Sequence, residues 1–241
     1  MARTKHDLRS QATRRQLITA ARGLFGARGY AAVGTEEIVH RAGVTRGALY
    51  HQFRDKADLF AAVAEEVEAE IAEQIAAGAV GSAADPVGAL RVGARLFLDA
   101  CAEPEVERII LLDAPAVLGW EAWRDLAGRY GLGLIQLALQ SAMDSGAIVP
   151  QPVIPLSHVL VGALNECALY VARAADPAAA REECAMVIDR IPQVGAHEVA
   201  VQEHDRLSGA RFQVAHGAVG QFDVWHGSLR GLSGVKYMQS V

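Results

Sequence analysis

Cysteine is scarce in this 241-residue chain: there are three, Cys101, Cys167 and Cys184, with no two close in sequence. That spacing excludes a dense disulfide framework, and with no CxxC pair it excludes the usual zinc and dithiol motifs. Free thiols fit a reducing compartment, so a cytoplasmic location is expected. No run of 18 apolar residues offers a membrane span. The basic N-terminus lacks the apolar core of a secretion signal. Aromatic residues make up only 6% of the chain, so the core must come from Ala, Leu, Val and Ile, a composition that favours helices. Catalytic motifs are missing too. The histidines, His6, His40, His51, His158, His197, His204, His216 and His226, include no HExxH and no other close ligand pair. There is no GxSxG elbow, and Gly131-Leu132-Gly133 lacks a third glycine and lies within a helical pattern. No catalytic residue, metal or cofactor is therefore expected, and the chain does not read as an enzyme.

What is present is a sharp asymmetry of charge. Residues 1–56 hold eleven Lys/Arg against four Asp/Glu, a net of +7, while the remainder carries a net of −12. A small basic module on an acidic body suits contact with phosphates, although a basic solvated face has the same composition.

Within the basic module, Leu17, Ala20, Ala21, Leu24 and Phe25 recur at helical spacing. They predict an amphipathic helix over roughly 10–28 that ends at Gly29. Thr35 reads as the cap of a short second helix, with Glu36 and Glu37 complementing its positive end. Gly43 permits a left-handed turn, and Thr45 caps a third helix on which Leu49 and Phe53 point inward together. Two short helices around a tight glycine turn form a helix-turn-helix. Arg46 then lies in the first turn of the third helix, where a recognition helix meets base edges and where Arg can pair with guanine. Gly47 would let backbone approach DNA closely, and Tyr50 and His51 lie one turn on. Asp55 and Asp58 make a capping-box-like start to a fourth helix, which places Lys56 and backbone amides within reach of phosphate.

The ordered pattern runs through Ala20-Ala21-Arg22-Gly23-Leu24-Phe25, Gly29-Tyr30 and Thr35-Glu36-Glu37-Ile38. It continues in Ala42-Gly43-Val44-Thr45-Arg46-Gly47-Ala48-Leu49-Tyr50-His51-Gln52-Phe53 and Lys56-Ala57-Asp58-Leu59. Over about fifty residues it resembles the TetR (tetracycline-repressor-like) family of bacterial regulators. The resemblance implies that Thr35, Thr45, Arg46, Gly47, Tyr50, His51 and Lys56 contact double-stranded operator DNA, with Arg46 and His51 at base edges and the other side chains at phosphates. Tyr50 also has a half-buried core reading and His51 a solvated one. Gln52, where the family often has His, reads as a solvated residue. Arg3, Lys5 and Arg9 form either a DNA-binding arm or a disordered lead.

The rest of the chain reads as all-α. A long helix spans 59–77, made acidic by Glu65, Glu66, Glu68, Glu70 and Glu73, and 78–84 reads as a loop. Further helices start at Pro86 and at Pro104, the latter ending at Pro115. Others cover 120–145, 156–174 and 177–191. The domains are thus 1–56, a helix-turn-helix domain, and 57–191, a helical body that the resemblance makes ligand-binding and dimerising. The two final body helices carry Val159, Leu160, Val161, Leu164, Leu169 and Val187 around much of their surface, which predicts a homodimer through them. The resemblance further implies an unknown small-molecule effector lined by Phe97, Cys101, Ile110, Trp120, Trp123, Tyr130 and Leu134, each of which also has a plain core reading. Asn165 and Glu166 have three readings: ligand, dimer contact and exposed surface. Beyond 191 the chain is richer in Gly and His and departs from the family, as a disordered extension or a frame-shifted one. The expected function is a repressor released from a palindromic operator by a small molecule. Its rivals are a DNA-processing enzyme, which needs an acidic metal cluster, and a packaging protein indifferent to sequence.

Overall fold

The computed structural model describes residues 5–82 and 86–190, and the expected tail beyond 191 lies outside them. All elements are helical: α1 Lys5–Arg28, α2 Thr35–Ala42, α3 Arg46–Gln52, α4 Lys56–Ser82, α5 Pro86–Cys101 and α6 Pro104–Val106. A π-helical stretch Glu107–Asp113 follows, then α7 Ala114–Leu118, α8 Trp120–Asp144, α9 Val153–Arg173 and α10 Pro177–Arg190. The all-α reading holds for the described residues.

α1 buries the stripe anticipated from its periodicity: Leu17, Ala20, Ala21, Leu24 and Phe25 are all buried. Gly29 closes it at φ 79°, a left-handed conformation in which its N–H reaches the Phe25 carbonyl at 2.7 Å. The helix starts five residues earlier than expected, so Lys5 and Arg9 belong to α1 and do not form an arm; Arg3 lies outside the described residues. Thr35 is the first helical residue of α2 and not its cap. Gly34 takes the extended cap conformation, and its carbonyl receives the Ile38 N–H. Thr45 does cap α3, accepting the Ala48 N–H on its hydroxyl at 3.2 Å. At α4, Asp55 accepts from the Asp58 N–H, but the Asp58 carboxylate reaches back to the Arg54 N–H and not to that of Asp55, one residue before a true capping box.

Two breaks expected from glycine and proline do not occur. α4 continues through Gly78 to Ser82. A Cβ at residue 78 would lie 2.5 Å from Leu96 Cδ1, so the glycine permits close approach of α5. Pro115 does not end its helix. It sits in the first turn of α7, where its missing N–H is not needed, and the preceding π turn widens the carbonyl ladder. The stop comes at Gly119, φ 85°. Pro155 likewise falls in the first turn of α9 rather than before it.

α4 runs unbroken from the helix-turn-helix into the body, and one buried core extends from Leu17 and Phe25 through Phe60 and Val67 to Trp123 and Ile188. Polar contacts tie α1 to the body as well. Arg22 donates to Glu70 and Glu105, both at 2.7 Å, and the Tyr30 N–H donates to Asp113 at 2.7 Å.

Candidate nucleic-acid interface and ligand cavity

α3 has two faces. Leu49 is fully buried and Phe53 nearly so, and these two residues lock the helix against α1. Thr45, Arg46, Gly47, Tyr50 and His51 are all exposed on the other side. A seven-residue helix cannot hold itself in water, so its orientation comes from these two anchors and two braces. Arg14 stacks its guanidinium 4.4 Å from the centre of the Phe53 ring, and Gln52 donates to Ser10 Oγ at 2.8 Å. Gln52 is thus tied to α1, not left to solvent as its sequence suggested.

Arg46 is held only loosely, 3.7 Å from Glu36 and 5.7 Å from the centre of the Tyr50 ring, and its side chain is 65% exposed. Surface contacts of this kind contribute little, so the guanidinium is free to turn outward. Among the described residues nothing requires glycine at 47, because a Cβ there would meet only Thr45 Oγ1 at 3.9 Å. Thr35 is half-buried at the start of α2. Lys56 differs from the rest. Its ammonium donates to the Tyr30 and Val33 carbonyls, each at 3.0 Å, and lies 3.9 Å from the centre of the Tyr30 ring. It fastens the 30–33 turn, a role that no sequence pattern announced.

In the body a cavity of about 390 Å³ opens between α4, α5, α8 and α9, within the range of small-molecule sites. Of the residues expected there, Phe97, Tyr130, Leu134 and Asn165 line it. The others do not reach it. Cys101, Ile110 and Trp123 are packed in the core, whereas Trp120 is 59% exposed and Glu166 lies at the surface. The two tryptophan rings do touch, with centroids 5.0 Å apart, but only Trp123 turns inward.

Sequence reasoning missed Glu68, which lines the cavity and is only 6% exposed. In sequence it is one of five glutamates that make the helix acidic. The signal was its register: Ala64, Glu68 and Ala72 follow one another at i+4, beside the buried Val67 and Ile71. Burial in this apolar wall pushes its carboxyl up to about 7. Arg91 also lines the cavity, with its Nε buried and without a hydrogen-bond partner among the described residues.

A helix-turn-helix carried on a hollow helical body defines a class, the sensor proteins that bind DNA. Residues 17–63 match the family model of bacterial regulatory proteins of the tetR family, and residues 87–193 match that of the tetracyclin repressor-like C-terminal domain. The chain belongs to the TetR family. Its fold superposes on the crystal structure of a TetR-family transcriptional regulator from Pectobacterium atrosepticum with a TM-score of 0.68 and 32% identity, covering 78% of this chain and 94% of that one. It is 35% identical over 112 residues to the HTH-type transcriptional regulator AcrR of Shigella flexneri, covering 46% of this chain and 51% of that protein. It is also 37% identical over 89 residues to TtgR of Pseudomonas putida, covering 37% of this chain and 41% of that protein. The chain thus spans about half the length of the curated relatives it matches, or less.

Proposed function

We propose that the protein is a transcriptional repressor in which residues 1–56 read a palindromic operator and residues 57–191 bind a small molecule and dimerise. The observation that carries this reading is the exposed face of α3, with Thr45, Arg46, Gly47, Tyr50 and His51 presented together on a helix anchored from behind. Arg46 and His51 meet base edges. Thr35, Thr45 and Tyr50 meet phosphates, and Gly47 lets the backbone close on the duplex. Lys56 spends two of its three donors on the Tyr30 and Val33 carbonyls, leaving one for a phosphate. The two recognition helices of a dimer enter major grooves about 34–36 Å apart, or a multiple of that.

The dimer forms through α9 and α10. The most apolar 18-residue stretch of α9 is only 22% buried within one chain. Ile154, Val159, Met186 and Val187 leave large apolar side chains in the open, and a second copy covers them. Light scattering at micromolar concentration should report a dimer; a stable monomer would overturn this interface.

Coupling runs along α4, which carries Lys56 at its head end and the cavity residues Glu68, Ile71 and Ile75 further along. A ligand that favours another tilt of α4 alters the spacing of the heads, and operator DNA then weakens that ligand by the same factor. The test is selection from a random DNA pool with the full-length protein. An enriched palindrome supports the reading, and no enrichment favours a packaging protein. Arg46→Ala should cost about 1–3 kcal/mol of operator binding and relax specificity at one base position. Lys56→Ala should weaken all sequences evenly and lower the salt slope by at most about 1. It should also lower stability, because two carbonyls lose their donor. Titrations at several salt concentrations, paired with urea unfolding, separate these outcomes.

A further inference from the structure

We propose that Arg91 anchors the cavity's ligand and that this ligand is an elongated apolar molecule ending in a carboxylate, a reading that rests on the cavity being the effector site. Arg91 lines the cavity from α5, and every other lining residue of that helix is apolar or glycine. Its Nε is buried without a hydrogen-bond partner, and no carboxylate among the described residues pairs with the guanidinium. Arg95, the other arginine of α5, shows the contrast, because it pairs with Asp189 of α10. A buried donor left unmade is costly, more so on a charged group, so Arg91 calls for an oxyanion from outside the chain.

The cavity has two unlike ends. Glu68, Tyr130 and Asn165 stand at one. The Tyr130 hydroxyl donates to Glu65 at 3.1 Å, just before Glu68 on α4. α9 returns along α8 in a register fixed by the hydrogen bond from Gln136 to Ser157 at 3.3 Å, which brings Asn165 back to the level of Tyr130. Arg91 stands at the other end. Cys101, close enough to Glu68 to feel its charge, lies ten residues beyond Arg91 on α5, about 15 Å of helix rise. Ser141 lies eleven residues beyond Tyr130 on α8, about 16 Å of rise, so its exposed hydroxyl falls at the Arg91 end. Between the ends the lining is apolar, with Ile71, Ile75, Phe97, Leu134 and Ala138.

An apolar acid suits this plan. Its body fills the stretch between the ends. Its carboxylate takes the Nε and an Nη donor of Arg91 together, the two-pronged contact that makes arginine selective for planar oxyanions. Ser141 offers a hydroxyl donor at the same end, and its exposure lets the head group keep part of its water. Glu68 does not oppose this pairing. It lies most of the cavity's length away, burial raises its carboxyl to about 7, and Coulomb repulsion falls with distance. A neutral ligand leaves the guanidinium unpaired, and an amine is repelled by it.

The test uses the full chain and three probes of similar shape: 4-butylbenzoate, 4-butylbenzamide and 4-butylbenzylamine. Calorimetry should show the carboxylate binding at least about tenfold more tightly than the amide, with the amine weakest. Arg91→Gln should abolish the preference for carboxylate over amide. The wild-type ranking stands without the variant, and far-ultraviolet circular dichroism checks that the variant is folded. Equal or tighter binding of the amide or amine, no binding of any probe, or an undiminished preference in the folded variant would each overturn the anchor. Release of bound operator is read separately. If the carboxylate binds through Arg91 but leaves the DNA complex intact, the anchor stands and the effector reading falls. If the amide or amine releases DNA as well as the carboxylate does, the effector reading stands and the anchor falls.

Discussion

Phe25→Ala should lower the free energy of unfolding by about 3–5 kcal/mol, the range for emptying an aromatic site in a packed core. Phe25 is fully buried. Its ring lies 5.6 Å from that of Tyr30 and 5.3 Å from that of Phe60, and those two rings are 5.2 Å apart. The three rings join α1, the turn that follows it, and α4, so a cavity there loosens the seam between head and body. Tyr30 is held from three other directions, by Asp113 at its N–H and by Lys56 at both its carbonyl and its ring. These contacts keep the turn from collapsing into the space, which places the expected loss toward the upper end of the range. Urea unfolding at fixed protein concentration measures it. A loss under about 1 kcal/mol would mean that the seam repacks, since surface substitutions rarely exceed half that value.

The legible parts of the molecule were those set by neighbours in sequence. The stripe from Leu17 to Phe25 was readable because a helix repeats every 3.6 residues. The Thr45 cap and the Gly43 turn were readable because each needs only its own few residues. The parts decided by a distant helix were not. Gly78 looked like a breaker until Leu96 was seen to occupy the space a side chain would need. Gln52 looked solvated because Ser10, its partner, lies 42 residues away. Trp120 and Trp123 were indistinguishable by spacing, yet one is 59% and the other 1% exposed. The cavity suffered most. Its walls come from four helices, so the choice between lining residue and core residue depends on packing angles that no local pattern encodes. Glu68 was hidden by its company, because five acids on one helix suggest a wet face, and only the register against Ala64 and Ala72 argues otherwise.

The ligand-free protein should become less stable as pH rises, through Glu68 alone, by about 3 kcal/mol in all. Its carboxyl titrates near 4.5 in an ordinary setting and at about 7 in the fold. Between those values the folded state binds the extra proton, so unfolding becomes easier as pH increases across that window. Below about 4.5 the carboxyl is protonated in both states and the contribution is level; above about 7 the full penalty of burying the charge is present and level again. The neighbours do not blur the window, because burial raises both the Cys101 thiol and the Tyr130 phenol and keeps them protonated throughout it. Every other titratable group is common to wild type and Glu68→Gln, so the difference between the two proteins isolates this group. Urea unfolding of both from pH 4 to 8 should show the variant gaining on the wild type by about 3 kcal/mol. A constant difference across that range would mean that water or a rearranged cation already serves the carboxylate in the empty cavity.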